Sequence, residues 1–169
     1  CAIVSIEDKK FFRHNGIDYR ALLRAVKAMI ENGEATQGGS TITMQLARNI
    51  FLSQEKTWQR KVEEMYIARE LEKKYTKDEI LEFYLNNIYF GNGYYNIKDA
   101  CKGYFGKSPN EMTAGECIML AGIPNAPSVY NPKENLKLAK ERQKQVADKM
   151  VEYGYLSKEK EDEILEEGF

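Results

Sequence analysis

The stretch "TWQRKVEEMYIARELEKKYTKDEILEFYLNNIYFG", residues 57–91, decides the fold class because it contains two consecutive helical patterns. The first pattern, residues 57–75, predicts one long helix. The second begins at Thr76, and Glu79 follows three residues later, which is the spacing of a capping box at a helix N-terminus. A turn-rich loop, "NGYYN", comes after Gly91. The stretch therefore predicts two adjoining helices that end in a loop.

Similar helical patterns cover most of the remaining chain. "YRALLRAVKAMIENG" has apolar residues at helical spacing and ends at Gly33 as at a C-cap. "EATQGGS" predicts a loop, and "PNAPSVYNP" predicts an ordered, extended loop. Further helices are predicted in "STITMQLARNIFL" with Ser40 as N-cap, "IKDACKGYFG" closed by Gly106, "TAGECIMLAGIP" opened by Thr113 and Glu116, residues 133–153, and "SKEKEDEILEEG". We expect a mainly α fold with room for no more than a short hairpin.

Length and composition narrow the class of protein. The 169 residues suit one domain, or one domain with a small lobe. The 25 basic and 26 acidic residues argue against a general nucleic-acid binder. No apolar run approaches the roughly 18 residues of a membrane span. The unevenly spaced Cys1, Cys101 and Cys117 predict neither a disulfide framework nor a metal site. Because Cys1 opens inside an apolar segment, we expect residues 1–169 to be a single domain excised from a longer chain.

The segment "SIEDKKFFRHNGID", residues 5–18, combines ionisable groups with aromatic ones. Glu7 and Asp8 precede two phenylalanines and the only histidine, His14. A carboxyl group that aromatic side chains desolvate has a raised pKa, which suits it to take a proton from a hydroxyl group. The alternative is a helix N-terminus with Ser5 as N-cap and acids in the first turn. His14 is either a base or ligand, or a structural hydrogen-bonding residue.

The segment "QGGSTITMQLARN", residues 37–49, has the features of an anion site. Two glycines allow the backbone to approach a ligand, and the helix behind them begins with the hydroxyls of Ser40 and Thr41. Gln45 and Asn49 share a face of that helix, with Arg48 beside them. The lysine and spacing of a Walker phosphate loop are absent. The alternative is an ordinary capped helix after a flexible loop.

The segment "RKVEEM", residues 60–65, places charges on one side of the long helix. At about 100° per residue, Arg60, Lys61 and Glu64 fall together, in line with apolar residues further on. The alternative is a surface ion pair between Arg60 and Glu64, worth a few tenths of a kcal/mol. The neighbouring stripe is expected to be core, and it consists of Trp58, Val62 and Met65.

Five stretches in this order resemble the motifs of the peptidoglycan glycosyltransferase family. That family comprises the transglycosylase domain of bifunctional class A penicillin-binding proteins and the monofunctional glycosyltransferases. The matching stretches are "EDKKFFRHNGID", "GGSTITMQLARN", "RKVEE", "KKYTKDEILEFYLNNIYFGNGYYNI" and "ECIMLAGIPNAPSVYNP". The resemblance covers nearly the whole chain. It implies a lysozyme-like helical domain with a small membrane-facing lobe.

The resemblance also implies roles for individual residues. Glu7 matches the catalytic base, and Glu64 matches a second important glutamate. Met44 departs from the family pattern, where glutamine is usual, and Arg48 stands where lysine is common. The positions that match substrate-binding residues, near the pyrophosphate and the sugars, are Asp8, Ser40, Thr41, Gln45, Arg48, Asn49, Arg60 and Lys61.

The implied reaction polymerises lipid II onto a growing glycan strand with β-1,4 linkage and inversion, releases polyprenyl pyrophosphate, and is inhibited by moenomycin. No cofactor is implied, although a divalent cation, Mg²⁺ or Mn²⁺, could assist the pyrophosphate. The implied partners are the membrane surface and a C-terminal transpeptidase domain, with no nucleic acid. The implied location is the outer face of the bacterial plasma membrane, with an N-terminal anchor helix outside this chain. The competing classes are a glycan hydrolase and a non-enzymatic helical docking module.

Overall fold

The structure is a computed structural model that describes residues 1–33, 38–53 and 55–168. Those residues contain α-helices, a short 3₁₀ helix at Pro109–Glu111 and no β-strand, which confirms the mainly α fold. Residues 34–37 of the predicted loop "EATQGGS" lie outside this description. The helices are α1 Ala2–Glu7, α2 Tyr19–Asn32, α3 Ile42–Phe51, α4 Trp58–Lys74, α5 Lys77–Leu85, α6 Ile97–Phe105, α7 Ala114–Gly122, α8 Leu136–Glu152 and α9 Lys158–Glu167.

Most of the predicted helix ends are confirmed. α2 ends at Gly33, which has a left-handed φ of 68°, and α6 ends at Gly106 with φ of 66°. The capping box predicted for Thr76 is present at the start of α5, where the Glu79 amide donates to the threonine hydroxyl. A second capping box opens α7 at Thr113. These ends depend on local chemistry, which explains why neighbouring residues predict them.

Three local predictions are wrong. Ser40 is not the N-cap of α3, because the Met44 amide donates to the hydroxyl of Thr41 instead. Ser5 does not start a helix but lies inside α1, where its hydroxyl donates to the Cys1 carbonyl. The segment "PNAPSVYNP" is a series of turns and not extended, since backbone amides within it donate to carbonyls three or four residues earlier.

The described chain divides into two compact units. The first comprises Cys1–Lys9 and Ile88–Phe169, and it is built on α7, a helix buried along most of its length. α7 packs against α8 and α1. At the α7–α8 contact, a Cβ on Gly122 would lie 2.7 Å from Cγ of Arg142, so the close approach requires glycine.

The second unit comprises Lys10–Asn87, and its core forms where α3 packs against α4 and α5. Met44 of α3 is fully buried in this core beside Ile17 and Ala68. α2 is different, because none of its residues is buried. Several of its apolar side chains, such as Leu23 and Ile30, are exposed. Leu23 and Ile30 are therefore largely open to solvent, whereas Leu22 of the same helix packs against the core.

Candidate active site

The charged stripe of α4 is buried, and the apolar stripe beside it is exposed. Glu64 is fully buried and Arg60 is 9% exposed, whereas Trp58 and Val62 are 65% and 64% exposed. The expectation that Trp58, Val62 and Met65 form core is therefore wrong for the first two, and Met65 is half-buried. The alternative of a surface ion pair is wrong too, since both partners are buried. Helical periodicity groups residues into faces, but it does not decide which face other helices cover.

Glu64 lies at the centre of a cluster of three cationic side chains. Its Oε1 is 3.2 Å from Nε of Arg60 and 3.8 Å from Nη1 of Arg48. Its Oε2 is 3.4 Å from Nζ of Lys61. We call these four residues the charged cluster. It has two positive charges in excess, so it favours an anion that carries at least two negative charges.

Lys61 connects the charged cluster to the segment before α3. Its ammonium group donates to the hydroxyl of Ser40 as well as approaching Glu64. Burial lowers the pKa of Lys61 below its ordinary value; Glu64 opposes that shift, and the neighbouring Arg48 and Arg60 add to it. Ser40 and Lys61, which the sequence predicted as two parts of one site, are thus in direct contact.

The two arginines of the charged cluster are held differently. Nη1 of Arg60 donates to the Ser53 carbonyl at 3.0 Å, which fixes the guanidinium against the segment before α4. Nε of Arg48 is buried and donates to no acceptor among the described residues. A buried donor without an acceptor is costly, and an anionic ligand would satisfy it. Nε of Arg60 is likewise buried without an acceptor among the described residues, so both arginines would gain from binding an anion.

The predicted residues of α3 are held by neighbouring segments. The buried hydroxyl of Thr41 donates to the Gly16 carbonyl at 2.6 Å and accepts from the Met44 amide. The hydroxyl of Tyr84, a buried residue of α5, donates to Oε1 of Gln45 at 3.1 Å. These contacts fix the first turn of α3 and give Thr41 a structural task in addition to its predicted binding role.

Two further positions on α3 clarify the sequence analysis. The Asn49 side chain donates to the Asn87 carbonyl at 3.3 Å and lies on the exposed side of the helix. Met44, which departs from the family pattern, is fully buried in the core. The departure therefore replaces a side chain that faces the protein interior, and the methionine contributes packing there.

Glu7 and Asp8 belong to the first unit. Glu7 is the last residue of α1 and is half-buried, and the buried Asp8 follows as the C-cap, its amide donating to the Val4 carbonyl at 3.0 Å. Val4 is fully buried, so α1 is anchored in the core of that unit. The structure therefore places Glu7 at the end of a short, well-packed helix. The other predicted residues belong to the second unit.

The sequence analysis missed Tyr84 and Glu72. Tyr84 lies inside a helical pattern that reads equally well as ordinary packing, and its contact with Gln45 joins residues 39 positions apart. Glu72 is a buried acid late in α4 that accepts from Thr43 of α3. The neighbouring sequence does not show that this glutamate is buried, since glutamate is common on exposed helix surfaces.

Within residues 1–33, 38–53 and 55–168, no group of three acidic, histidine or cysteine residues is arranged to hold a metal ion. Glu64, the carboxylate of the charged cluster, is surrounded by cations and does not suit a divalent metal. Over the same residues, no helix is long and apolar enough to cross a membrane.

The charged cluster suits the binding of a multiply charged anion, and comparison with known proteins identifies the class of this domain. A family model described as Transglycosylase matches residues 1–151. A Cupriavidus necator protein named as a transglycosylase is 48% identical over 97% of this chain and 71% of its own length. Penicillin-binding protein 2D of Bacillus subtilis is 46% identical over 98% of this chain and 24% of its own length. The chain belongs to the transglycosylase family.

A solved structure agrees with this assignment. A crystal structure of penicillin-binding protein 1A from Haemophilus influenzae has a TM-score of 0.51 against this chain at 46% identity, and the match covers 53% of this chain and 13% of that one. In sequence, this chain spans 20 to 24% of the length of the two penicillin-binding proteins named. The predictions of a peptidoglycan glycosyltransferase enzyme and of a relationship to class A penicillin-binding proteins are confirmed.

Proposed function

We propose that this chain polymerises lipid II into β-1,4-linked glycan and releases polyprenyl pyrophosphate. The observation that carries the proposal is the charged cluster, in which Arg48, Arg60 and Lys61 surround a single buried carboxylate. A pyrophosphate leaving group gains negative charge as its bond to the sugar breaks, and preorganised cations stabilise that charge. A hydrolase that cuts glycosidic bonds between sugars releases no such anion and has no need of this excess of cations.

In the proposed reaction, Glu7 acts as the general base. Its carboxylate takes the proton of the 4-hydroxyl of lipid II while that oxygen attacks the anomeric carbon of the glycan strand. The bond from the anomeric carbon to the pyrophosphate breaks, and the leaving group departs with the bonding electrons. Because attack and departure occur on opposite faces, an α-linked donor gives a β-linked product.

Glu64 acts in this scheme by positioning the cations. Three like charges within a few ångströms repel one another, and the carboxylate at their centre offsets that repulsion while leaving two charges for the ligand. Ser40, Gln45 and Asp8 are proposed to bind the remaining polar groups of the substrates, together with Thr41 and Asn49. No step passes through a cofactor, and a divalent cation would add charge neutralisation to the pyrophosphate.

The partners we propose are a lipid bilayer and a transpeptidase domain. The exposed apolar side chains of α2 and α4, which include Leu23, Ile30, Trp58 and Val62, favour contact of the second unit with lipid. A transpeptidase domain in the same protein, an anchor helix and the outer face of the plasma membrane are proposed from the relationship to penicillin-binding proteins.

The test is polymerisation of labelled lipid II in detergent, with and without moenomycin. The samples are the wild-type chain, with any natural flanking sequence retained, and the variant Glu7→Gln. Moenomycin-sensitive polymer from the wild type alone supports the proposal. Cleavage of preformed glycan without polymer formation would favour the hydrolase. Polymerisation by the Glu7→Gln variant would show that Glu7 is not the base.

A further inference from the structure

A buried carboxylate outside the charged cluster joins several segments of the second unit. Glu72 lies in the last turn of α4, and its side chain is 7% exposed. Its Oε1 accepts a hydrogen bond from the hydroxyl of Thr43 at 2.8 Å and another from Nζ of Lys77 at 2.7 Å. One oxygen atom therefore links α3, α4 and α5.

Lys77 extends this connection to the segment before α2. Its ammonium group also donates to the His14 carbonyl at 2.7 Å and lies 4.5 Å from the centre of the Phe11 ring. Nδ1 of His14 accepts a hydrogen bond from the Gly16 amide at 3.0 Å, so the ring is held within its own segment. Nδ1 also lies 3.9 Å from Oε1 of Glu72. These contacts support the structural alternative for His14 that the sequence analysis gave.

The same segment supports the first turn of α3. The Gly16 carbonyl accepts from the hydroxyl of Thr41 at 2.6 Å, and the Thr41 hydroxyl in turn caps the helix at the Met44 amide. The turn is thus held at two points: directly by Gly16, and through Thr43 by Glu72. Both supports are buried or partly buried, where hydrogen bonds are stronger than in water.

We infer that Glu72 is a positioning residue for substrate binding, which fixes the first turn of α3 through its contacts with Thr43 and Lys77. This inference rests on the proposed function, because it is Ser40 and Gln45, at either end of that turn, that are proposed to bind the substrate. Glu72 acts only through other residues. Its effect belongs to binding, since Ser40 and Gln45 are proposed to bind polar groups of the substrates that do not react, and such groups are held equally before and during the reaction.

The first test compares Glu72→Gln with Glu70→Gln. The glutamine keeps the shape of the side chain but loses the charge that holds Lys77. We expect the KM for lipid II to rise about tenfold and kcat to change by less than about threefold. Glu70 is a matched control, because it lies on the same helix and accepts from Lys73 at 2.9 Å but is exposed. Its variant should keep the wild-type KM within about twofold.

The second test separates positioning from general loss of stability. Thr43→Val should raise the KM as Glu72→Gln does, and the two changes should add less than fully in the double variant, because the two residues are in direct contact. Thr43→Ser keeps the hydroxyl and should restore the KM. Ile80→Val, a change at a fully buried residue of α5, should lower the melting temperature and leave the KM unchanged.

Two outcomes would overturn the inference or the proposed function separately. Wild-type polymerisation with an unchanged KM in both Glu72→Gln and Thr43→Val would overturn the inference and leave the function intact. Absence of polymer from the wild type would contradict the function. In that case hydrogen exchange at the Met44 and Gln45 amides still decides the positioning: exchange about tenfold faster in Glu72→Gln than in Glu70→Gln supports it, and equal rates overturn it.

Discussion

Arg60 and Glu64 lie one helical turn apart on α4, and Nε of Arg60 is 3.2 Å from Oε1 of Glu64, although neither side chain is accessible enough to be well hydrated. The two atoms are close, but the N–H direction does not give an aligned hydrogen bond. The contact is therefore electrostatic. Its strength depends on the carboxylate of Glu64, which three cationic side chains surround, so we expect that carboxylate to stabilise this part of the protein.

Replacing Glu64 should show that dependence directly. Glu64→Gln leaves Arg48, Arg60 and Lys61 close together without the carboxylate, and breaking a buried pair in this way typically costs about 3–5 kcal/mol. We expect the free energy of unfolding in urea to fall by that amount. The control is Glu63→Gln, since Glu63 is exposed and accepts from Gln59 at 3.3 Å. Equal stability of the two variants would contradict the central role of Glu64.

Loss of the proposed base should remove activity and leave the fold intact. Glu7→Gln keeps the size of the side chain at the end of α1 but cannot take a proton, and general base catalysis typically contributes about 10²–10⁴-fold. We expect the rate of lipid II polymerisation to fall within that range, with an unchanged circular dichroism spectrum. A folded variant that polymerises at near wild-type rate would be inconsistent with this role.

Gly16 should tolerate no side chain. Its φ is +99°, and an added Cβ would lie 2.9 Å from the backbone carbon and oxygen of Ala68, which cannot move aside. Strain and overpacking together predict that Gly16→Ala costs about 2–5 kcal/mol. Gly106→Ala is the control, because Gly106 also has a left-handed φ but an added Cβ would meet nothing within 4 Å. Its cost should be only about 1–2 kcal/mol, and chemical denaturation of both variants measures the difference.

Glu116 should make stability depend on pH. Burial raises its pKa, but hydrogen bonds from Lys107 and from the Thr113 amide outweigh burial, so the pKa lies below its ordinary value of 4.5. A carboxyl group with a lowered pKa stabilises the fold above its unfolded pKa, and that stabilisation is lost as the pH falls through the folded pKa. The urea midpoint of wild type should therefore exceed that of Glu116→Gln at pH 7, and the gap should close below about pH 4.5.

The control for this pH dependence is Glu159→Gln in the first turn of α9, where the side chain is exposed. Its urea midpoint should follow that of wild type at every pH. A gap between wild type and Glu116→Gln that stays constant from pH 7 to pH 3 would contradict the assignment of the stabilisation to the ionised carboxylate.

The exposed apolar face of α2 should bind lipid. Leu23 and Ile30 are 68% and 77% exposed, and burying two such side chains in a bilayer interface gains about 2–3 kcal/mol. The double change Leu23→Ser and Ile30→Ser should weaken sedimentation with vesicles of phosphatidylethanolamine and phosphatidylglycerol at least about tenfold. Tyr155→Ser, at an exposed residue of the first unit, should leave binding unchanged. Equal binding by all three proteins would refute a role for α2 at the membrane.

The features that the sequence predicted well are those that depend on near neighbours. The ends of α2 and α5 follow from Gly33 and Thr76, whose backbone and side chain act within a few residues. The grouping of Arg60, Lys61 and Glu64 follows from helical geometry alone, and the structure confirms their contact. The resemblance to the family rests on the order of five motifs along the chain, since no single motif would have been specific.

The features that the sequence did not predict depend on which surfaces meet in the folded chain. Trp58 and Val62 form an apolar stripe that periodicity assigns to the core, but α3 covers the charged stripe of α4 instead. Glu72 and Thr43 are 29 residues apart, so the residues next to either of them do not predict their hydrogen bond. The residue that caps α3 was missed by one position, because Ser40 and Thr41 are both good caps and the contact with Gly16 decides between them.

In α4 the charged stripe is buried and the apolar stripe is exposed, and this arrangement has a consequence for protein engineering. Buried ion pairs are often no more stabilising than apolar residues of the same size, so replacing both Arg60 and Glu64 with well-packed hydrophobic side chains would be neutral or favourable for folding. Such a protein would be stable but would lack two members of the charged cluster that we propose to bind the pyrophosphate. Directed evolution that selects this domain for heat resistance or expression yield alone is therefore expected to enrich sequences without the proposed anion site, and selection must include turnover in every round.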